Sequence, residues 1–345
     1  MSGFFTPFFF ASFSLTLVLT PLVIRVARRV NFLDHPGPRK IHTTPMPYGG
    51  GIAVAVTVLL ATFWAWRFSP FAGAAVGTKT FNWPVYAAGS LVILALGLVD
   101  DRRRLSARTK LLVQTIVAAA VAVGGERLRL FDAPAPLSIA VTVLWILAVT
   151  NAFNLLDHMD GLSSGVALLA GAAFLVVALQ TGQGFMAAMT VPLLGACAGF
   201  LLFNFPPAKI FLGDTGSLFI GFWMSCLTIS FTFYDAHYRL YTYFVPLAVL
   251  AVPLFDTTSV MIIRLLRRKP LFEGDTNHLA HRLTALGLSR RGAVLTVYAL
   301  TLATGISAVL LYFVTERGAL LILVQVLLTF GIITLLEAAG RRHDG

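Results

Sequence analysis

Long apolar runs alternate with short polar gaps along the whole chain, and the gaps hold nearly all of its charge. Runs of roughly 17–25 apolar residues are long enough to cross a bilayer as helices. The pattern predicts eleven spans: 4–27, 49–66, 83–99, 111–124, 137–150, 162–180, 185–203, 217–233, 241–266, 293–314 and 318–337, of which the fourth and fifth are short. An odd count sets the termini on opposite sides. Alternate counting then gathers the gaps 28–48, 100–110, 151–161, 204–216 and 267–292 with the C-terminus, and with them 20 of the 26 Lys and Arg, counting Arg25 and Arg264 at the ends of their spans. Only Arg67, Lys79, Arg127, Arg129, Arg239 and Arg317 fall on the other face. The positive-inside rule makes the rich face cytoplasmic, the N-terminus external and the C-terminus cytoplasmic. A miscounted span would mix the two sets. The expected fold is an all-α polytopic integral membrane protein of about 10–11 transmembrane helices. No repeat, linker or soluble domain stands out, so residues 1–345 are expected to form a single membrane-embedded domain.

Composition agrees. Of 345 residues, 57% are hydrophobic and 12% charged, about half the charge of a soluble domain. The run Phe4–Ala27 lacks a short basic leader and a small-residue cleavage site, and so is expected to be a retained span. Cys197 and Cys226 lie inside apolar runs with no metal spacing and read as small buried hydrophobes. The net charge of +11 fits loop orientation, anionic lipid and substrate phosphates better than nucleic acid.

Five carboxylates sit in the short cytoplasmic gaps between spans, at 100–110, 151–161 and 204–216: Asp100, Asp101, Asp157, Asp160 and Asp214. Acids crowding the face that collects Lys and Arg point to a divalent cation and a phosphorylated ligand. The adjacent pair Asp100-Asp101 ends a span, where the helix dipole disfavours anions and the two repel each other unless a cation offsets them. Mg²⁺ is a hard ion that takes oxygen ligands and needs only one or two protein carboxylates. In 151–165, the spacing of three between Asn151, Asn154, Asp157 and Asp160 predicts one helical stripe, costly against lipid. The segment 204–217 closes on Gly213-Asp214-Thr215-Gly216-Ser217 before an apolar run, offering free helix N–H groups to an anion. Phe211 offers a stacking face for a base. His278, His281 and the neighbouring Arg282 read as a phosphate contact rather than a zinc pair, which usually has i, i+4 spacing and a third ligand. Asp256 lies within an apolar run near Pro253, where a functional acid and a role in holding a proline kink are both open.

Together and in this order, these cassettes resemble the polyprenyl-phosphate N-acetylhexosamine-1-phosphate transferases. The likeness covers about residues 30 to 283. It rests on Asp100-Asp101; on Asn151, Asn154, Asp157, Asp160 and Gly161; on Asn204, Pro207, Ala208, Phe211, Gly213, Asp214, Gly216 and Ser217; and on Pro253, Asp256 and Thr257. One departure is Ala280, where the family's His-rich element often has a middle histidine. The stretch Lys40-Ile41-His42 running to Pro45, Pro47, Gly49 and Gly50, with the short insert after Asp101, looks more like the teichoic acid and O-antigen initiators than the phospho-MurNAc-pentapeptide translocase.

The resemblance implies a bacterial inner-membrane enzyme with its site on the cytoplasmic face and dependent on Mg²⁺, with Mn²⁺ an alternative ion. It would transfer GlcNAc-1-phosphate from a UDP-sugar to undecaprenyl phosphate and release UMP, at the first membrane step of cell-envelope polysaccharide synthesis. The metal is assigned to Asp214 with Asn154. Catalysis is assigned to Asp100, Asp101, His278, His281 and Arg282. Substrate binding is assigned to Lys40, Asn151, Asn154, Asp157, Asp160, Asn204, Phe211 and Asp256, with the prenyl chain in a lipid-facing groove beside the span of Asp256. A homodimer is compatible with all of this. The alternatives are the pentapeptide transferase and, from a different class, a secondary transporter. The transporter predicts ionisable groups near the bilayer midplane and repeated halves, whereas these acids gather at one interface.

Overall fold

A computed structural model describes residues 2–36, 44–71, 81–124, 126–128, 134–234, 239–268 and 277–340. Lys40 and His42 lie outside the described residues. The helices are α1 (Ser2–Arg29), α2 (Gly50–Phe68), α3 (Trp83–Arg103), α4 (Ala107–Val123), α5 (Ala135–Leu156), α6 (Leu162–Gln180), α7 (Gly184–Asn204), α8 (Gly213–Ser230), α9 (Val245–Val249), α10 (Ala251–Leu266), α11 (Leu279–Ala285), α12 (Arg290–Leu310) and α13 (Glu316–Gly340). Two-residue strands β1 (Leu33–Asp34) and β2 (Met46–Pro47) pair antiparallel after α1.

Each of the eleven expected spans coincides with helix. Eight described helices are long and apolar enough to cross a membrane, and the stretch Leu240–Val249 with Ala251–Leu266 makes a ninth that is bent by 70°. The other two are α4, of 17 residues, and α8, whose polar first turn dilutes an otherwise apolar helix. The bend at Leu250 has a cause in the sequence. A proline ring clashes with the carbonyl four residues earlier, and Pro253 therefore breaks the helix at Val249 while sitting in the first turn of α10.

The most enclosed element is α8, every residue of which is buried except Asp214. It packs on α2, α3 and α5, while α7 packs on α1, α2 and α6. Glycine makes the closest of these approaches. A Cβ on Gly51 would overlap the backbone of Gly216, and one on Gly97 would come within 2.5 Å of the Asp214 carbonyl oxygen. α2 and α3 thus reach the N-terminus of α8 backbone to backbone, fixing the place of Asp214. At the periphery, α1 and α13 leave most of their surface exposed as apolar residues, as lipid permits.

Candidate active site

α3 ends in a tight turn. Arg104 takes a left-handed φ of 48°, and Ser106 then caps α4 through the Thr109 N–H. The return brings Lys110 back against Asp100. The Lys110 Nζ donates to Asp100 Oδ2 at 2.7 Å and to Asp214 Oδ2 at 2.8 Å. The sequence reading counted Lys110 only as a loop cation. Its signal was local: the first turn of α4 holds Arg108 and Lys110 and no acid, the reverse of what the helix dipole favours, so an external anion had to be answering it.

The two aspartates of the pair do different things. Asp100 accepts from Lys110 and from the Leu105 N–H. Asp101 turns to α8, taking the N–H of Asp214 at 2.8 Å, the N–H of Thr215 at 3.1 Å and the Thr215 hydroxyl. It is an N-terminal cap supplied by another helix, and it supports the turn that presents Asp214.

The stripe expected over 151–160 is cut short, because α5 stops at Leu156. Asn151 points at Gln114, donating to it at 2.6 Å, and Asn154 donates to Ser217 of α8 at 3.0 Å. Asp157 is the C-cap and accepts the Gly213 N–H, while Asp160 lies in the following turn and accepts the Ala208 N–H at 2.9 Å. Packing, together with the charges of Asp214, Asp101 and Asp160, pushes the Asp157 carboxyl well above the usual carboxylate range. Asn204 is nearly inaccessible. Its amide oxygen takes the Gly161 N–H and the Ser164 hydroxyl, and its nitrogen donates to the Ile210 carbonyl. It braces the two loops against each other.

A third group comes from α10 and α11. Asp256, 1% exposed, accepts from His278 Nδ1 at 2.9 Å and from the Leu279 N–H, with Arg282 Nη2 at 3.9 Å. The acid therefore faces α11 rather than lipid, and holds the start of that helix. His158 stacks on His278 with ring centroids 4.5 Å apart and lies 4.7 Å from His281. Its Nδ1 meets the Leu155 carbonyl at 2.9 Å, so that nitrogen carries the proton and Nε2 is left a lone pair. Burial and the neighbouring His278 lower His158 to about 3, and His281 is lowered by the same two causes. The ligand atoms of His158, Asp256 and His278 lie within 4.8 Å of one another, but nitrogen donors do not suit Mg²⁺, and His278 already spends Nδ1 on Asp256.

Part of each group reaches one cavity of about 680 Å³, lined by Asp101, Asp157, His158, Asp160, Asp214, Phe211 and His281, with Tyr48, Arg290 and Val294; Asp100, Lys110, Asn151, Asn154, Asp256, His278 and Arg282 stand outside that lining. The Phe211 ring lies 5.9 Å from that of Tyr48. An oxygen-rich pair fits a hard cation: the Lys110 ammonium already bridges Asp100 and Asp214, so a positive charge is at home between them.

The glycosyl transferase family 4 model matches residues 83–232. A Bacillus subtilis protein named probable undecaprenyl-phosphate N-acetylglucosaminyl 1-phosphate transferase is 34% identical over 88% of this chain and 84% of its own. The Mycobacterium tuberculosis decaprenyl-phosphate N-acetylglucosaminephosphotransferase is 30% identical over 96% and 88%. The Thermotoga maritima undecaprenyl-phosphate alpha-N-acetylglucosaminyl 1-phosphate transferase is 32% identical over 78% and 77%. By the extent of these matches, the chain belongs to glycosyl transferase family 4, among the multi-pass polyprenyl-phosphate N-acetylhexosamine-1-phosphate transferases.

Proposed function

We propose that the protein transfers N-acetylglucosamine-1-phosphate from UDP-N-acetylglucosamine to undecaprenyl phosphate, at the cytoplasmic surface of a bacterial cell membrane, with the whole chain acting as one domain. The observation that carries this reading is the Asp100–Lys110–Asp214 relay beside a cavity of further carboxylates and imidazoles. The names of the relatives support transfer of N-acetylglucosamine-1-phosphate to a polyprenyl phosphate, undecaprenyl in the Bacillus and Thermotoga proteins and decaprenyl in the Mycobacterium one.

In this reaction a phosphate oxygen of the acceptor lipid attacks the β-phosphorus of the donor. The bond to UMP breaks as a new pyrophosphate bond forms, so the exchange is near thermoneutral. Catalysis then consists of bringing two anions together and steadying charge on the phosphoryl oxygens. Mg²⁺ held by Asp214 and the Asn154 amide oxygen would offset the diphosphate charge. Lys110 stands between the carboxylates, ready to pass from them to a phosphoryl oxygen. Asp100 orients the acceptor, whose second phosphate pKa near 6 makes a strong base unnecessary. His281 is the α11 imidazole that reaches the cavity, while His278, held by Asp256, and Arg282, which donates to Ser259, brace that helix behind it. Asp101 keeps the α8 terminus in place, and Phe211 with Asp157 and Asp160 receives the uridine.

The test uses purified protein in detergent with Mg²⁺ and undecaprenyl phosphate, following UMP. Release with UDP-N-acetylglucosamine, lost in Asp214→Asn and after chelation, is the expected result. Release only with the UDP-MurNAc-pentapeptide would keep the chemistry and replace the donor. No UMP from either would sink the reading.

A further inference from the structure

α12 meets the site twice. Arg290 and Val294 reach the cavity wall, and four residues further on the same face Tyr298 passes beneath the turn that joins α5 to α6. Its hydroxyl donates to the Gly161 carbonyl oxygen at 2.5 Å, across 137 positions of sequence. Room for the phenol comes from Gly165, where any Cβ would overlap the Tyr298 ring. The Gly161 N–H is meanwhile held by Asn204 at 3.0 Å. The residue that follows Asp160, at a φ of 73°, is therefore held through both its N–H and its carbonyl, from α7 on one side and α12 on the other. The Gly161 carbonyl also takes the Gly165 N–H at 2.9 Å. The Ser164 hydroxyl approaches the same oxygen at 3.4 Å, so the phenol adds to an acceptor that α6 already satisfies, and its removal would loosen the turn without orphaning a buried group.

We infer that Tyr298 is a positioning residue for the donor site: it sets where Asp157 and Asp160 stand in the cavity while lying outside the cavity lining itself. Tyr298 lies beyond the span matched by the family model. The inference rests on the reading that these aspartates receive the nucleotide. A loose turn would meet the ligand as an ensemble, and the affinity would fall by the fraction of time the carboxylates are misplaced.

The test compares full-length wild type with Tyr298→Phe in detergent. UDP binding is measured by calorimetry without acceptor, alongside donor kinetics, thermal unfolding and hydrogen–deuterium exchange. A single hydrogen bond of about 1 kcal/mol corresponds to a roughly five-fold effect. The expected result is a rise of that order in both the Kd for UDP and the donor KM, with kcat within about twofold, Tm little changed, and faster exchange confined to peptides covering 157–165. Unchanged Kd and KM would overturn the inference. So would a fall in Tm with exchange raised along all of α6 and α12, which would make the tyrosine a fold contact only. A wild type that binds no UDP would instead overturn the functional reading beneath it.

Discussion

Among single residues, Asp157 shows most plainly how the site is tuned. Its carboxyl is pushed up by burial and by the negative charges of Asp214, Asp101 and Asp160. A folded value above the unfolded one means that its contribution to stability is present in acid and is lost as pH rises past the ordinary carboxylate range. Burial and the neighbouring acids thus oppose its ionisation in the folded protein, and a ligand donor or cation that meets the carboxylate relieves that penalty. Asp157→Asn is therefore expected to raise the Tm of the metal-free protein at pH 7.5 while lowering kcat/KM by more than about tenfold, as loss of a ligand hydrogen bond to a charged group does. Unfolding curves and UMP release on the same preparation check both halves. His158 carries the opposite sign of shift, lowered from 6.5 to about 3. Folding keeps this ring neutral, so protons bind the unfolded chain first. Stability is full above pH 6.5 and is lost as pH falls toward 3. Replacing His158 with Asn is expected to flatten that acid-side loss in a Tm–pH series. An identical slope in the variant would mean that other groups carry it.

The helices show why some of this was legible in the sequence and some was not. Each span could be located because polar gaps interrupt the apolar runs, and the gaps marked Asp100, Asp157, Asp160 and Asp214 as neighbours of one cavity or relay. Helix ends were less legible. Spacing alone carried a stripe through Asp160, yet α5 stops at Leu156, and Asn151 turns to Gln114 instead of the cavity. The partners of Lys110 and Tyr298 were harder to find: the basic first turn of α4 points to a nearby anion and Asp100 is close in sequence, but Asp214 and Gly161 lie more than a hundred positions away, and no local pattern names such a partner. Gly50 entered the sequence argument only as part of the family likeness, and Gly51 and the glycines of α3 did not enter it; in the fold they are contact points. Gly51→Ala would drive a methyl into the Gly216 backbone, whereas around Gly331 on α13 there is nothing within 4 Å. The first change is expected to destabilise by on the order of 3 kcal/mol, with UMP release lost because Asp214 moves with the α8 terminus. Gly331→Ala should leave Tm equal or slightly higher, helix propensity favouring alanine. Thermal unfolding of the pair tests whether the α2–α8 approach holds the site.

For the whole molecule, the open question is how often the chain crosses the bilayer, and the bent segment Leu240–Leu266 decides it. A 70° bend is compatible with a broken span or with a re-entrant loop. The contacts at its two ends favour a span. Tyr241 bonds to the Val314 carbonyl and Tyr312 to the Phe233 carbonyl, all at the end of the bundle where α8 and α12 finish. Asp256, in contrast, bonds to His278 near the cavity, where α8 and α12 begin. The segment therefore travels from the far end to the cavity end, as a span must. Counting it with α4, α5, α6, α7, α8 and α12 makes an odd number of crossings between Arg103 and Arg317, both exposed, so the two residues should face opposite sides. The native cysteines, Cys197 and Cys226, are buried and should not react. With a membrane-impermeant maleimide, Arg103→Cys is expected to label only in inverted vesicles and Arg317→Cys only in right-side-out ones, in line with the charge asymmetry of the loops. Labelling of both from the cytoplasmic side would make the bent segment re-entrant. The reverse pattern would keep the count but turn the molecule over, placing the cavity away from the nucleotide-sugar pool and removing the proposed reaction with it.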